Sequence, residues 1–240
     1  MIAAVAVLLT VVLITGGTAA YFAVGAGPDA AALAAVEDDP DVTVERFDDR
    51  TVVRSGPVTE ETVGLAYYPG ARVNPESYVP TAAAIVSDRD VAVVVVEMPL
   101  NLAVLAPDRA DDARDAVPKV ESWAVGGHSL GGAMACRYAA ENADEVDALV
   151  LHASYCDRDI SETDLRALTV LGAADGVIDS ERERESRANL PADARIVELD
   201  GVNHAGFGAY GPQRGDTPVS TDPSVMRDRV GNATGQWLAA

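Results

Sequence analysis

Gly126-Gly127-His128-Ser129-Leu130-Gly131-Gly132 constrains this chain more than any other stretch. It contains Gly127-x-Ser129-x-Gly131, the spacing of a nucleophile elbow. Ser122-Trp123-Ala124-Val125 before it reads as a short buried strand, and Ala133 to Ala140 after it as a helix. A strand, a sharp turn and a helix in that order hold a serine at the turn's tip in a strained backbone conformation. The residues two positions either side must then be small, because a Cβ would collide with the adjoining strand or helix. The turn also sets the hydroxyl at a helix N-terminus, where developing negative charge is favoured. The simpler alternative is a glycine-rich turn with a serine N-cap. The flanks and the residues downstream favour the elbow.

Repeated alternation of strand and helix surrounds this motif. Strands are predicted at Thr62–Tyr68, Val91–Val96, Asp147–His152, Leu168–Gly172 and Ala194–Leu199. Helices are predicted at Pro75–Val86, Asp108–Ala116, Ser180–Ala188 and Ser224–Leu238. The run Val91–Val96, five valines and an alanine, suits a parallel strand covered on both faces. The pattern predicts an α/β fold, a mostly parallel sheet with helices on both faces. Val42–Glu45 and Thr51–Arg54 read as a hairpin at the sheet edge.

The N-terminus differs from the rest. Residues 1–28 carry no charged side chain, and Ile2 to Val24 is long and apolar enough to span a bilayer as a helix. A cleaved signal peptide is the alternative, with possible cleavage after Ala20 or Ala26, but no Lys or Arg precedes the apolar run. The expected organisation is a transmembrane anchor over 1–28, an acidic linker over 29–41, and a catalytic domain over 42–240. The α-amino group favours the N-terminus inside and the domain outside the cell membrane. Secretion after signal cleavage is the alternative.

Thirty-eight acidic residues face eighteen basic ones, a net charge of −20, and Lys119 is the only lysine. That balance excludes a basic footprint for nucleic acid. It suits a halophilic protein whose self-repulsion is screened by salt. Cys136 and Cys156 are too few for a disulfide framework. Cys136 falls in the helix after the elbow, where a small buried thiol is expected; pairing with Cys156 is the alternative.

A serine nucleophile needs a general base. His128 cannot turn its ring onto the adjacent Ser129 in line, and His152, at a strand end, reads as a structural histidine, with lining the pocket as the alternative. His204 is the candidate base, in the polar loop Gly201–Gly208 past the last strand, where open sheets place their sites. Asp175 follows strand Leu168–Gly172 on the same sheet edge and is the candidate acid that orients His204. Asp179, four residues on, reads as a helix N-cap. The backbone amides of Leu130 and Ala71 are expected to form an oxyanion hole, with Arg72 second to Ala71.

With these residues in the order serine, acid, histidine, the chain resembles the α/β-hydrolase family over roughly Val42 to Ala240. It is most similar to small, capless members of dienelactone-hydrolase-like shape in which Tyr68-Pro69-Gly70 stands where others have a His-Gly oxyanion loop. Met98-Pro99-Leu100-Asn101-Leu102 and Asn203-His204-Ala205-x-Phe207-Gly208 also look like that group. The resemblance implies a serine hydrolase cleaving carboxylic esters through an acyl-enzyme, without cofactor or metal, on a small-molecule substrate. Dienelactone hydrolases use cysteine, so Ser129 favours an esterase. The alternatives are cofactor-free haloperoxidase-type chemistry and a non-catalytic membrane-tethered binding module on the same scaffold. Only 153–164 separates strand Asp147–His152 from the next, and much of it is charged. No cap is therefore expected, and a shallow cleft favours short acyl chains. Oligomeric state is not legible.

Overall fold

The computed structural model describes residues 24–240. Nearly all of the expected membrane span lies outside the described residues. Among these, no helix is long and apolar enough to cross a membrane.

Eight strands form one sheet: β1 (Thr43–Arg46), β2 (Arg50–Arg54), β3 (Val63–Tyr68), β4 (Val91–Val96), β5 (Ser122–His128), β6 (Ala148–His152), β7 (Arg166–Gly172) and β8 (Arg195–Leu199). Their order is β1-β2-β4-β3-β5-β6-β7-β8. The pairs from β4 through β8 are parallel, whereas β2 runs antiparallel to both β1 and β4. The hairpin therefore caps one edge of a parallel sheet, as its alternating pattern suggested.

Helices α1 (Ala30–Glu37), α2 (Val79–Val86), α3 (Arg109–Ala116), α4 (Leu130–Glu141), α5 (Ser180–Ser186) and α6 (Pro223–Leu238) complete the domain. The strand pleat divides the core. Val91, Val93 and Val95 pack with Ile85 of α2 and Val230 of α6 on one face. Val94 and Val96 pack with Ala110 of α3 and Ala135 of α4 on the other. All six residues of β4 are buried, which is why the strand is apolar throughout rather than alternating.

Two expectations are corrected. The segment 29–41 is not a linker. Asp29 caps α1 by accepting the amides of Ala31 and Ala32, and Val36 is buried in the core. Its abundance of alanine suits a helix as well as a spacer, and only tertiary packing decides between them. The domain also begins earlier than residue 42. Ala26 forms a parallel bridge with Val73: its N–H donates to the Arg72 carbonyl (2.7 Å), and its carbonyl accepts from Asn74 N–H (2.9 Å). Asp29 N–H donates to the Ala209 carbonyl. Ala26 and Asp29 therefore belong to the domain.

The second correction concerns the cysteines. Cys136, in α4, and Cys156, in the loop after β6, form a disulfide. A sequence separation of 20 hid a pair that the elbow brings together, because β5, α4 and β6 are neighbours in the fold.

Ala26→Pro removes the donor to Arg72 and should lower stability by roughly 1 kcal/mol, or about 2–4 °C in melting temperature. Gly27→Ala, whose added Cβ meets nothing within 4 Å, should leave it unchanged. Calorimetry on the two variants checks this.

Candidate active site

Parallel register brings the carboxyl ends of five strands to one edge. Tyr68 pairs with Gly127, His128 with His152, and Gly172 with Leu199. The loops leaving this edge hold Ala71, Ser129, Asp175 and His204.

Ser129 sits between β5 and α4 with φ 53° and ψ −121°. A non-glycine residue is strained there, and the surroundings must hold it. The amide of Ser129 donates to the His152 carbonyl (2.9 Å), and Ser154 Oγ donates to the Ser129 carbonyl (2.7 Å). Both elbow glycines are required by contact. A Cβ on Gly127 would lie 2.5 Å from the Tyr68 carbonyl oxygen, and one on Gly131 would overlap that oxygen and approach the Pro69 oxygen to 2.5 Å. Those distances are inside van der Waals contact, so the first turn of α4 packs backbone to backbone against the end of β3. The serine itself is partly exposed.

His204 begins a single helical turn, His204–Phe207, after β8. Its Nδ1 lies 2.8 Å from Asp175 Oδ2, with both side chains almost fully buried, at 2% and 3% exposure. Nδ1–H donates to the carboxylate, which leaves Nε2 as the acceptor of the neutral ring. The other oxygen of Asp175 accepts from the amides of Val177 (2.8 Å) and Ile178 (2.9 Å). Burial pushes the Asp175 pKa up, but the hydrogen bond and charge of His204, with the two amides, outweigh it and hold the carboxyl below its ordinary range. Asp179 instead caps α5, accepting from Glu181 and Arg182 N–H.

The other two histidines are built into the core. Tyr78 Oη accepts from Gly70 N–H (2.9 Å) and is hydrogen-bonded to His128 Nδ1 (2.9 Å). Burial, then the neighbouring His204 and His152, push the His128 pKa well below normal. Thr234 Oγ1 donates to the Val230 carbonyl and so accepts from His152 Nε2–H (2.8 Å), while Tyr67 Oη donates to His152 Nδ1 (3.0 Å). Burial lowers the His152 pKa to about 3. Both rings are therefore neutral near pH 7. The His128 and His204 rings lie 4.5 Å apart, which sets His204 beside the elbow.

Three amides follow Pro69 in the loop after β3. Gly70 N–H is bound by Tyr78 Oη, and Arg72 N–H donates to the Asn101 carbonyl (2.8 Å). Ala71 N–H, on an exposed residue, has no hydrogen-bond partner among the described residues. Leu130 is the first residue of α4, so its N–H lacks an intrahelical acceptor. These are the two amides expected from sequence; Arg72, the second choice, is engaged elsewhere.

Sequence reasoning missed Asp216. Its Oδ1 accepts from His204 N–H (3.1 Å), Gly176 N–H (3.1 Å) and Thr217 N–H (2.9 Å), and its Oδ2 from Ala205 N–H (2.8 Å). One carboxylate thus ties the loop of Asp175 to the loop of His204. Nothing in Arg214-Gly215-Asp216-Thr217 distinguishes it from the other acids of so acidic a chain. Among the described residues no group of His, Cys, Asp and Glu could hold a metal ion.

A family model described as the alpha/beta hydrolase family matches residues 64–226. The chain belongs to that family. Solved structures share the fold: carboxyl esterase 2 from the fungus Tuber melanosporum (TM-score 0.58, 12% identity, 83% of this chain and 87% of that one) and an esterase of Pyrobaculum calidifontis (0.61, 16%, 87% and 89%). A protein of Agrobacterium vitis S4 is similar too (0.59, 14%, 83% and 98%). Identities this low establish shared architecture alone. No curated protein sequence matches the chain.

The lowered Asp175 pKa has a calculable consequence. A carboxyl held below its unfolded value of about 3.9 stabilises the fold above that value, and the contribution is lost as pH falls through the folded pKa. The melting-temperature gap between wild type and Asp175→Asn should be full at pH 7 and shrink toward pH 2. A pH-independent gap would refute the assignment of that charge to the stability of the loop.

Proposed function

We propose that this α/β hydrolase is a serine esterase. Ser129 attacks the ester carbonyl, His204 Nε2 takes the serine proton and returns it to the leaving alcohol, and Asp175 holds His204 in that tautomer and stabilises its charged form. Ala71 and Leu130 N–H receive the oxyanion. Water, deprotonated by His204, then releases the acid. The observation that carries this reading is the buried His204–Asp175 hydrogen bond on the strand edge that bears Ser129. Family membership and the esterases among the structural relatives support a hydrolase in general.

Short acyl groups fit best. Residues 153–165, between β6 and β7, contain no helix and are fastened down by the disulfide and by Arg137 donating to Asp157 (2.6 Å). Without a helical cap in that segment, a long chain would gain little burial, and each buried methylene contributes only ~0.8 kcal/mol.

We also propose that residues 2–24 anchor the enzyme in the cell membrane with the domain outside. The disulfide supports an oxidising compartment. If the N-terminus is cleaved instead, a cut after Ala26 would remove the residue that pairs with Arg72 and Asn74, so a cut after Ala20 is the compatible one.

Ser129→Ala should abolish labelling by a fluorophosphonate and lower kcat by at least about 10³-fold, leaving binding and oxyanion contributions. Unchanged turnover would remove Ser129 from the mechanism. Across p-nitrophenyl esters from acetate to palmitate, kcat/KM should peak at the short end; a long-chain maximum would contradict the open cleft.

A further inference from the structure

The catalytic edge of the sheet carries the exposed apolar surface of the described residues. Val24, Leu100, Val104 and Leu105 are 73%, 40%, 49% and 52% exposed. They are neighbours through the oxyanion loop. Gly25 packs so tightly that a Cβ there would lie 2.8 Å from the Arg72 oxygen and 3.1 Å from the Asn101 amide nitrogen, and Arg72 N–H is bonded to Asn101. Val104 and Leu105 follow in the same β4–α3 loop. The other large exposed apolar side chains among the described residues are Phe47, Val177 and Val225. Phe47 lies in the β1–β2 turn, set at the carboxyl end of β4 because Arg50 pairs with Val96, and Val177 follows Asp175. Val225 is in the first turn of α6, next to Met226, which packs against Gly206.

The opposite edge is acidic. Glu61, Asp90, Glu121, Asp147 and Asp164 are exposed where the chain enters β3 through β7 in turn. The large exposed apolar side chains thus gather at the catalytic end, among charged loop residues such as Asp48, Asp108 and Arg158, while an acidic row without them lines the other end.

The tether is the second observation. Val24 ends the apolar run of the sequence, and two residues later Ala26 is bonded to Arg72 and Asn74. Two residues span at most about 7 Å, so the oxyanion loop lies within roughly 10 Å of where that run ends. No spacer intervenes.

We infer that the rim Val24, Leu100, Val104 and Leu105 docks on the bilayer that holds the N-terminal segment, with Ser129 opening toward the lipid–water interface. This rests on the membrane reading of residues 2–24. Contact is apolar rather than electrostatic, because a chain of charge −20 is repelled by anionic headgroups. The acidic edge faces away. The enzyme then reaches short-chain esters of amphiphiles that concentrate at the interface: the acyl group enters the shallow cleft and the alcohol moiety remains in the lipid.

The test uses the full chain reconstituted in phosphatidylcholine vesicles with brominated acyl chains, in molar KCl. The native Trp123 and Trp237 are buried and give a constant background. A tryptophan placed by Val104→Trp should be quenched at least twofold more than one placed by Glu60→Trp, which sits on the acidic side before β3. Equal quenching overturns the inference. So does a blue-shifted Val104→Trp that bromine does not quench, which would mean that the chain's own N-terminal segment covers the rim. Vesicle flotation reads the anchor separately. If the chain does not float, externally added vesicles replace reconstitution, and an unquenched Val104→Trp again overturns docking. Fluorophosphonate labelling of the same samples reports the hydrolase reading independently. Replacing Val104 and Leu105 together by serine should lower turnover of a vesicle-confined acetate ester at least fivefold and leave a water-soluble acetate unchanged; equal effects on the two would contradict an interfacial role.

Discussion

The close approach of two backbones, the first turn of α4 and the end of β3, is the constraint on which the site depends. Gly127 and Gly131 permit it, because any side chain there would enter the Tyr68 and Pro69 carbonyls. That contact fixes three things together. It holds Ser129 in its left-handed conformation, aims the N-terminus of α4 past the sheet edge, and sets the Ala71 amide in the loop that leaves the same strand end. A single methyl group at Gly131 would push these apart. The strain at Ser129 is therefore maintained by packing on both sides, with the Ser154 and His152 contacts closing the third side.

The remaining parts are positioned by polar links rather than by packing. Tyr78 joins the oxyanion loop to His128, the residue before the serine. Asp216 joins the loop of Asp175 to the loop of His204. Ala26 joins the N-terminal arm to the oxyanion loop. Tyr78 is buried, Asp216 half-buried and Ala26 exposed, and each makes at least two hydrogen bonds. Each therefore fixes a loop that the sheet alone would leave free to move. The arm has a further consequence, since whatever holds the N-terminus also holds the mouth of the site.

Much of this was legible in the sequence because the elbow is a local constraint. Glycine spacing, the apolar strand before it and the helix after it are all encoded within about fifteen residues, and chain order then narrows the partners. Asp175 was separable from Asp179 because one immediately follows a strand and the other precedes a helix, where a carboxylate caps. The valine run of β4 disclosed a two-sided core. What escaped were pairings between segments distant in sequence. Asp216 binds four backbone amides, and backbone amides leave no trace in sequence. The Cys136–Cys156 bridge depends on the crossover between neighbouring strands. Helix α1 is alanine-rich and weakly amphipathic, so its sequence reads as a spacer until Val36 is seen to enter the core.

The central claim is that Ser129, His204 and the two amides converge on one reacting centre. A crystal structure of the protein after reaction with a fluorophosphonate tests it most directly. The account predicts phosphorus bonded to Ser129 Oγ, the phosphonyl oxygen within about 3.2 Å of both Ala71 N and Leu130 N, and His204 Nε2 facing the leaving-group side. An adduct whose phosphonyl oxygen points away from Ala71 into solvent, or one formed on any other residue, would contradict it.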